Sequence, residues 1–151
     1  MPVTARHGTF SAGAIQGPTG IYGPGIGYDV LANMQVGGNA SGFSNTYVSY
    51  RFKAGATSTL VSVRWYCIDR THVGYGAGTG GTIRMTIEAD SNGSPSGTPL
   101  ATRDVVAPVD DFQLYTFASP PSLTSGQLYH LVFTNVDASP TTNYVSVDCL
   151  F

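Results

Sequence analysis

The chain has 151 residues, enough to bury one core and the natural size of a single domain. Charged residues make up only 11 % and the formal charge is −2, with Lys53 the single lysine and no run of Lys and Arg. That composition argues against recognition of nucleic acid through its phosphates, and no stretch reaches the roughly 18 apolar residues of a membrane span.

From the start to residue 45 the chain is glycine-rich with little periodicity. "MPVTARHGTFSAG" contains no apolar secretory core, so no signal peptide is read there. "GPTGIYGPG" (17–25) has three collagen-like triplets, too few for a triple helix, and reads as an ordered loop or arm. "YDVLANMQV" (28–36) suits an early strand or a single helical turn. Residues 1–45 are therefore expected to form an arm packed on the domain, or one that pairs with a neighbouring copy in a homo-oligomer.

After Gly42 a period of two takes over. "NTYVSYRFKA" sets Val48, Tyr50 and Phe52 on one face, with Tyr47, Ser49, Arg51 and Lys53 on the other. "STLVSVRWYCID" points Val61, Val63, Trp65 and Cys67 inward, and Ser62, Arg64 and Tyr66 outward. "TIRMTIEAD" alternates Ile83, Met85, Ile87 and Ala89 with Arg84, Thr86 and Glu88. "LATRDVV", "DFQLYTF", "QLYHLVFTN" and "NYVSVDCLF" complete the strand candidates. Seven or more antiparallel strands in one domain must close on themselves or stack. The expectation is an all-β, antiparallel β-sandwich of jelly-roll type over residues 46–151, with Val63, Trp65, Ile87, Leu131 and Val147 buried and negligible helix.

"ADSNGSPSGTPLA" (89–101) asks for a decision between metal loop and turn. Asp90 and Asn92 supply oxygens suited to a hard cation such as calcium. A calcium-hand loop fails, because Gly93 comes too early and Ala101 stands where a bidentate Glu belongs. Turn chemistry is the stronger reading: Asn92-Gly93 for positive φ, Pro95 for stiffness and Gly97 for release into the next strand. No cofactor is expected.

The succession "IRMTIEADSNGSPSGTPLA" and "YTFASPPSLTSGQLYHLVFTN" resembles modules appended to secreted bacterial proteins and polysaccharide-degrading enzymes. These carry a D-x-N-G-x-P-S-G turn before a Leu-Ala strand, and later an F-x-x-P-x-L-x-x-G-x-x-Y-x-L-V stretch. The resemblance covers about residues 46–151 and implies a jelly-roll sandwich used for carbohydrate binding or surface display.

"GYGAGTGG" (74–81) contains G-x-G-x-x-G at Gly76, Gly78 and Gly81, but it precedes a strand, so no helix N-terminus is there to hold phosphates. It reads as a loop presenting Tyr75. Hydrolase motifs are missing, the histidines His7, His72 and His130 are scattered, and carboxylate pairs of Glu88 with Asp90, Asp104 or Asp148 are cheap coincidences. The protein is read as not an enzyme. Cys67 and Cys149 both fall on inward positions, and two readings stand side by side: a bridge, or two small buried thiols.

The outward set Arg64, Tyr66, Arg84, Glu88, His130, Tyr144 and Asp148 is the candidate ligand face, with Tyr75 reaching in and Tyr66 as its anchor. Aromatic stacking flanked by hydroxyl-binding groups would suit a polysaccharide or glycan; the plain alternative is a solvated sheet face. The expected protein is thus a carbohydrate-binding or lectin-like domain, with a structural or assembly domain of a virion, fibre or cell-surface protein as the second reading. Low charge with abundant Gly, Ser, Thr and Tyr places it outside the cell or on a virion or cell surface.

Overall fold

The structure is a computed structural model, and it describes residues 16–17, 20–21, 34–36, 47–68, 76–109 and 111–148. Twelve strands follow in chain order: β1 Gln16–Gly17, β2 Gly20–Ile21, β3 Met34–Val36, β4 Val48–Lys53, β5 Ser58–Thr59, β6 Ser62–Ile68, β7 Thr82–Ser91, β8 Ser94–Val106, β9 Asp111–Thr116, β10 Ser122–Leu123, β11 Leu128–Asn135 and β12 Val145–Asp148. Among the described residues there is no helix. The segment around 28–36 supplies the short strand β3.

Every strand pairing is antiparallel. One four-stranded sheet runs β4-β11-β7-β8 and a second runs β3-β12-β6-β9, with the small pairs β1-β2 and β10-β5 beside them. Only β7 and β8 are joined as a hairpin within the large sheets; elsewhere the chain passes from one sheet to the other.

Alternation along each strand sends one set of side chains into a common core. From the first sheet come Val48, Tyr50, Phe52, Ile83, Met85, Ile87, Leu131 and Phe133; from the second, Val63, Trp65, Cys67, Tyr115, Val145 and Val147. The rings of Trp65 on β6 and Phe133 on β11 meet at 4.8 Å between centroids, which ties the two sheets together. Tyr50 meets Phe133 edge-on at 5.8 Å. Each such aromatic, taken fully out of water, contributes about 1.5–3 kcal/mol. The five residues expected inside, Val63, Trp65, Ile87, Leu131 and Val147, are all buried. The indole N–H of Trp65 has no hydrogen-bond partner among the described residues. Tyr115 shares this interior, and burial pushes its hydroxyl up to about 12.

The glycine-rich approach to β7 is explained by close packing. A Cβ on Gly78 would collide with Asn143 and the Thr142 carbonyl, and one on Gly81 would come within 2.6 Å of the Asn143 carbonyl. Asn143 takes the Thr79 N–H at 3.0 Å and donates to Asp137 at 3.0 Å, so the loop after β11 clasps the glycines. Tyr75, expected to be presented by this loop, lies outside the described residues.

Candidate functional site

The face of β4-β11-β7-β8 turned away from the core carries Arg84, Glu88 and His130 of the polar side chains the sequence singled out. Cross-strand register arranges them in rows about 4.8 Å apart between strands. Arg51, His130 and Glu88 form one row, and Ser49, Val132, Thr86 and Thr102 the next. Then come Thr134, Arg84 and Asp104, with Tyr47 beside Thr134 where the register continues.

The hairpin joining β7 to β8 turns on Asn92 (φ 53°) and Gly93 (φ 92°), the positive-φ pair that a two-residue primed turn demands. Asp90 Oδ2 accepts the Gly93 N–H at 3.1 Å and closes it. Two register shifts, between Ile87 and Glu88 and between Glu88 and Asp90, bend the ribbon over the sheet. Gly97 (φ 75°) then delivers its N–H to Glu88 Oε2 at 2.6 Å. The run of Asp, Asn, Gly and Pro therefore builds a bulged hairpin folded back on its own strand.

Asp90 is also the centre of a charged string. Its Oδ1 accepts from Arg51 Nε at 2.7 Å and from His130 Nε2 at 2.9 Å. The Ser49 hydroxyl lies 2.8 Å from His130 Nδ1. Ionised Asp90 accepts from Nε2, and the other ring nitrogen, Nδ1, bonds the Ser49 hydroxyl. The His130 hydrogen bond is the main reason the Asp90 carboxyl lies below its ordinary range, with the Gly93 N–H and Arg51 adding to it against some desolvation. Beside this string, Thr86 donates its hydroxyl to Glu88 Oε1 at 2.8 Å. Glu88 and His130 are 6 % and 3 % exposed.

Ser49, His130 and Asp90 thus form a serine–histidine–aspartate string with the ring nitrogens exchanged relative to the hydrolase arrangement. The guanidinium of Arg51 on the same Asp90 oxygen neutralises the charge such a relay would draw on. As arranged, the string ties three strands and the hairpin into one unit. A cavity of about 230 Å³ opens at the end of this sheet, lined by Ala89, Asp90, Gly126, Gln127, Leu128 and Tyr129.

The expected ligand face is redistributed. Arg64 is exposed, but on β6 of the other sheet. Glu88 and His130 do turn away from the core cluster, yet both are buried and bonded within the protein, contrary to the expectation of an open face. Tyr144 is buried too, bridged through its backbone to Ala77, so it is not on an outward surface. Tyr66 pairs in register with Phe112 and Asp148; the three side chains, like Tyr75, fall outside what is described. Arg84 is exposed and bidentate to Asp104, at 2.8 Å on both arms, which holds Asp104 below its ordinary pKa. Of the two calcium candidates, Asp90 is occupied by Arg51, His130 and the Gly93 N–H, while Asn92 is the exposed turn residue. Among the described residues no group of three or more His, Cys, Asp or Glu side chains is placed to hold a metal. Cys67 is buried near the end of β6, and Cys149 lies outside the described residues.

Ser49 and Arg51 are residues that sequence reasoning placed outward without giving them a role. Their signal was the period of β4, but their partners depend on a register no single strand contains.

The apolar surface has its own pattern. Of the six large apolar side chains exposed among the described residues, Leu100, Val106, Val109 and Leu114 lie on β8, β9 or the corner between them. A fifth, Val136, follows β11 and donates its N–H to the Thr82 carbonyl, while Thr82 pairs with Val106. The sixth is Tyr47. Val106 is 75 % exposed and Leu114 60 %. Among the described strands β8 and β9 are also edges, one in each sheet.

Comparison with known proteins finds no matching family model, no matching curated protein and no matching solved structure.

Proposed function

We infer that this protein is a non-catalytic assembly module, a β-sandwich of jelly-roll type that docks on protein neighbours through its β8–β9 side. The passage of the chain from sheet to sheet and the shared core support the sandwich. The observation that carries the function is that four of the six exposed large apolar side chains among the described residues stand on two consecutive edge strands and the corner between them. Single exposed apolar residues mean nothing, but a succession of them along open sheet edges suits a side that a partner covers. The polar groups of this sheet point the same way, because Glu88, His130 and Asp90 spend their bonds inside the molecule. Low charge and a glycine-rich leading segment suit a particle, fibre or surface layer outside the cell. Light scattering across concentration is expected to show ordered association, and Leu114→Asp or Val106→Asp to reduce it. A strictly monomeric protein that binds a polysaccharide would overturn this reading.

One observation favours glycan binding as a second reading. Tyr47, half exposed, stands in a row with Thr134, Arg84 and Asp104, an aromatic ring followed by hydroxyl-binding groups. On a glycan array this reading expects a signal that Tyr47→Ala lowers by roughly thirtyfold, the usual loss of an aromatic anchor worth about 2 kcal/mol. An unchanged signal would remove Tyr47 from the site.

A further inference from the structure

The proposal that follows rests on the assembly reading and names its partner. We propose that the open edge of β8 pairs antiparallel with β8 of a second copy, about a two-fold axis at Arg103, joining two four-stranded sheets into one continuous sheet.

β8 bonds to β7 on one side, and among the described residues no strand pairs with its other side. Its two halves differ in how they treat that edge. The first half carries Pro95 and Pro99, each lacking an N–H and so guarding an edge against addition. Leu100, 45 % exposed, is the bulged residue left unpaired between Pro99 and Ala101, and from Ala101 to Val106, itself 75 % exposed, there is no proline, no lysine and no further bulge. This half is built to accept a strand.

The register follows from self-complementarity. A two-fold axis perpendicular to the sheet, which keeps both outer faces on one side, must pass through a residue rather than between two. Centred on Arg103, it sets Leu100 against Val106 of the other copy, Thr102 against Asp104 and Ala101 against Val105. The regular pairing runs from Ala101 to Val105, exposed Val106 comes beside Leu100 at the bulge that ends it, and a threonine hydroxyl meets a carboxylate. Centring on Thr102 would set Leu100 against Asp104. Centring on Asp104 would set that carboxylate against its own copy. Only the Arg103 register pairs like with like along the apolar positions. Its cost is Arg103 facing Arg103, a repulsion that salt screens, so association should strengthen as salt is added.

Disulfide mapping in the full chain tests the register. Residues directly opposite across an antiparallel pair have Cα atoms about 4.5–5.5 Å apart, within disulfide range, whereas a two-residue offset exceeds it. Under mild oxidation, Arg103→Cys should link to itself, with the linked peptide identified by mass spectrometry to separate it from native cysteines. Thr102→Cys and Asp104→Cys should each fail alone and link when mixed. Equal linking at all three positions would overturn the proposal, as would a protein that associates without any link at 103. In that last case the assembly reading stands and only the β8 edge falls. A chain that stays monomeric at every concentration would overturn this pairing, and loss of association in Leu114→Asp but not Val106→Asp would move the interface to β9.

Discussion

The two ends of the β7–β8 ribbon are built on opposite terms. At the turn end, charged and polar groups are drawn under cover: Glu88 takes Thr86 and Gly97, and Asp90 takes Arg51, His130 and Gly93. At the far end, apolar Val106, Val109 and Val136 are left in water although polar residues would cost nothing there. Burying polar groups is tolerated only when each finds a partner, and the turn end meets that condition within one chain. On the proposed reading, the exposed apolar groups find theirs in another molecule. The contrast then separates what holds this fold together from what the fold would offer to others.

The largest effect should come from breaking the covered end. Glu88→Ala would leave the Gly97 N–H and the Thr86 hydroxyl without their shared acceptor, at a cost of about 3 kcal/mol. For a domain of this size that lowers Tm by roughly 10 °C in a thermal melt. A change of a degree or two would mean that the hairpin is not held through Glu88.

Acid should loosen the same end next. The carboxyls of Asp90, Asp104 and Asp137 are held below their ordinary range, by His130, Arg84 and Asn143 respectively. A folded-state value below the unfolded one gives stability that is complete above about pH 4 and is lost as pH falls through the folded value. Tm should therefore decline below about pH 4, and less steeply in Asp90→Asn than in the wild type. A Tm that rises with acid would reverse the sign and contradict the network.

How much of this was legible beforehand divides along physical lines. Period two in "NTYVSYRFKA" and "TIRMTIEAD" was enough to find β4 and β7 and to place Tyr50, Met85 and Ile87 inside, because burial on one sheet face is a local pattern. Asn92-Gly93 announced the turn for a similarly local reason. Glu88 and His130 read as open ligand-binding groups because alternation reports only which face a side chain leaves from. Whether that face is then covered depends on a bulged hairpin folding back, and on Arg51 meeting Asp90 across β11. Tyr144 misled for a related reason, since it falls in a bridge to Ala77 just before its strand begins.

Smaller effects sharpen the comparison further. Arg84→Ala removes a bidentate but exposed ion pair, so denaturant unfolding should shift by no more than about 1 kcal/mol. A loss of several kcal/mol would place this pair with the buried network instead. Val106→Lys should change stability by less than about 0.5 kcal/mol, since a side chain this exposed supports no core.

The most direct measurement is sedimentation of the wild type and Val106→Lys side by side over a wide concentration range. The account predicts a wild type that associates with rising concentration and a Val106→Lys variant that stays monomeric at an unchanged Tm. A monomeric wild type, or a variant that associates as the wild type does, would contradict it.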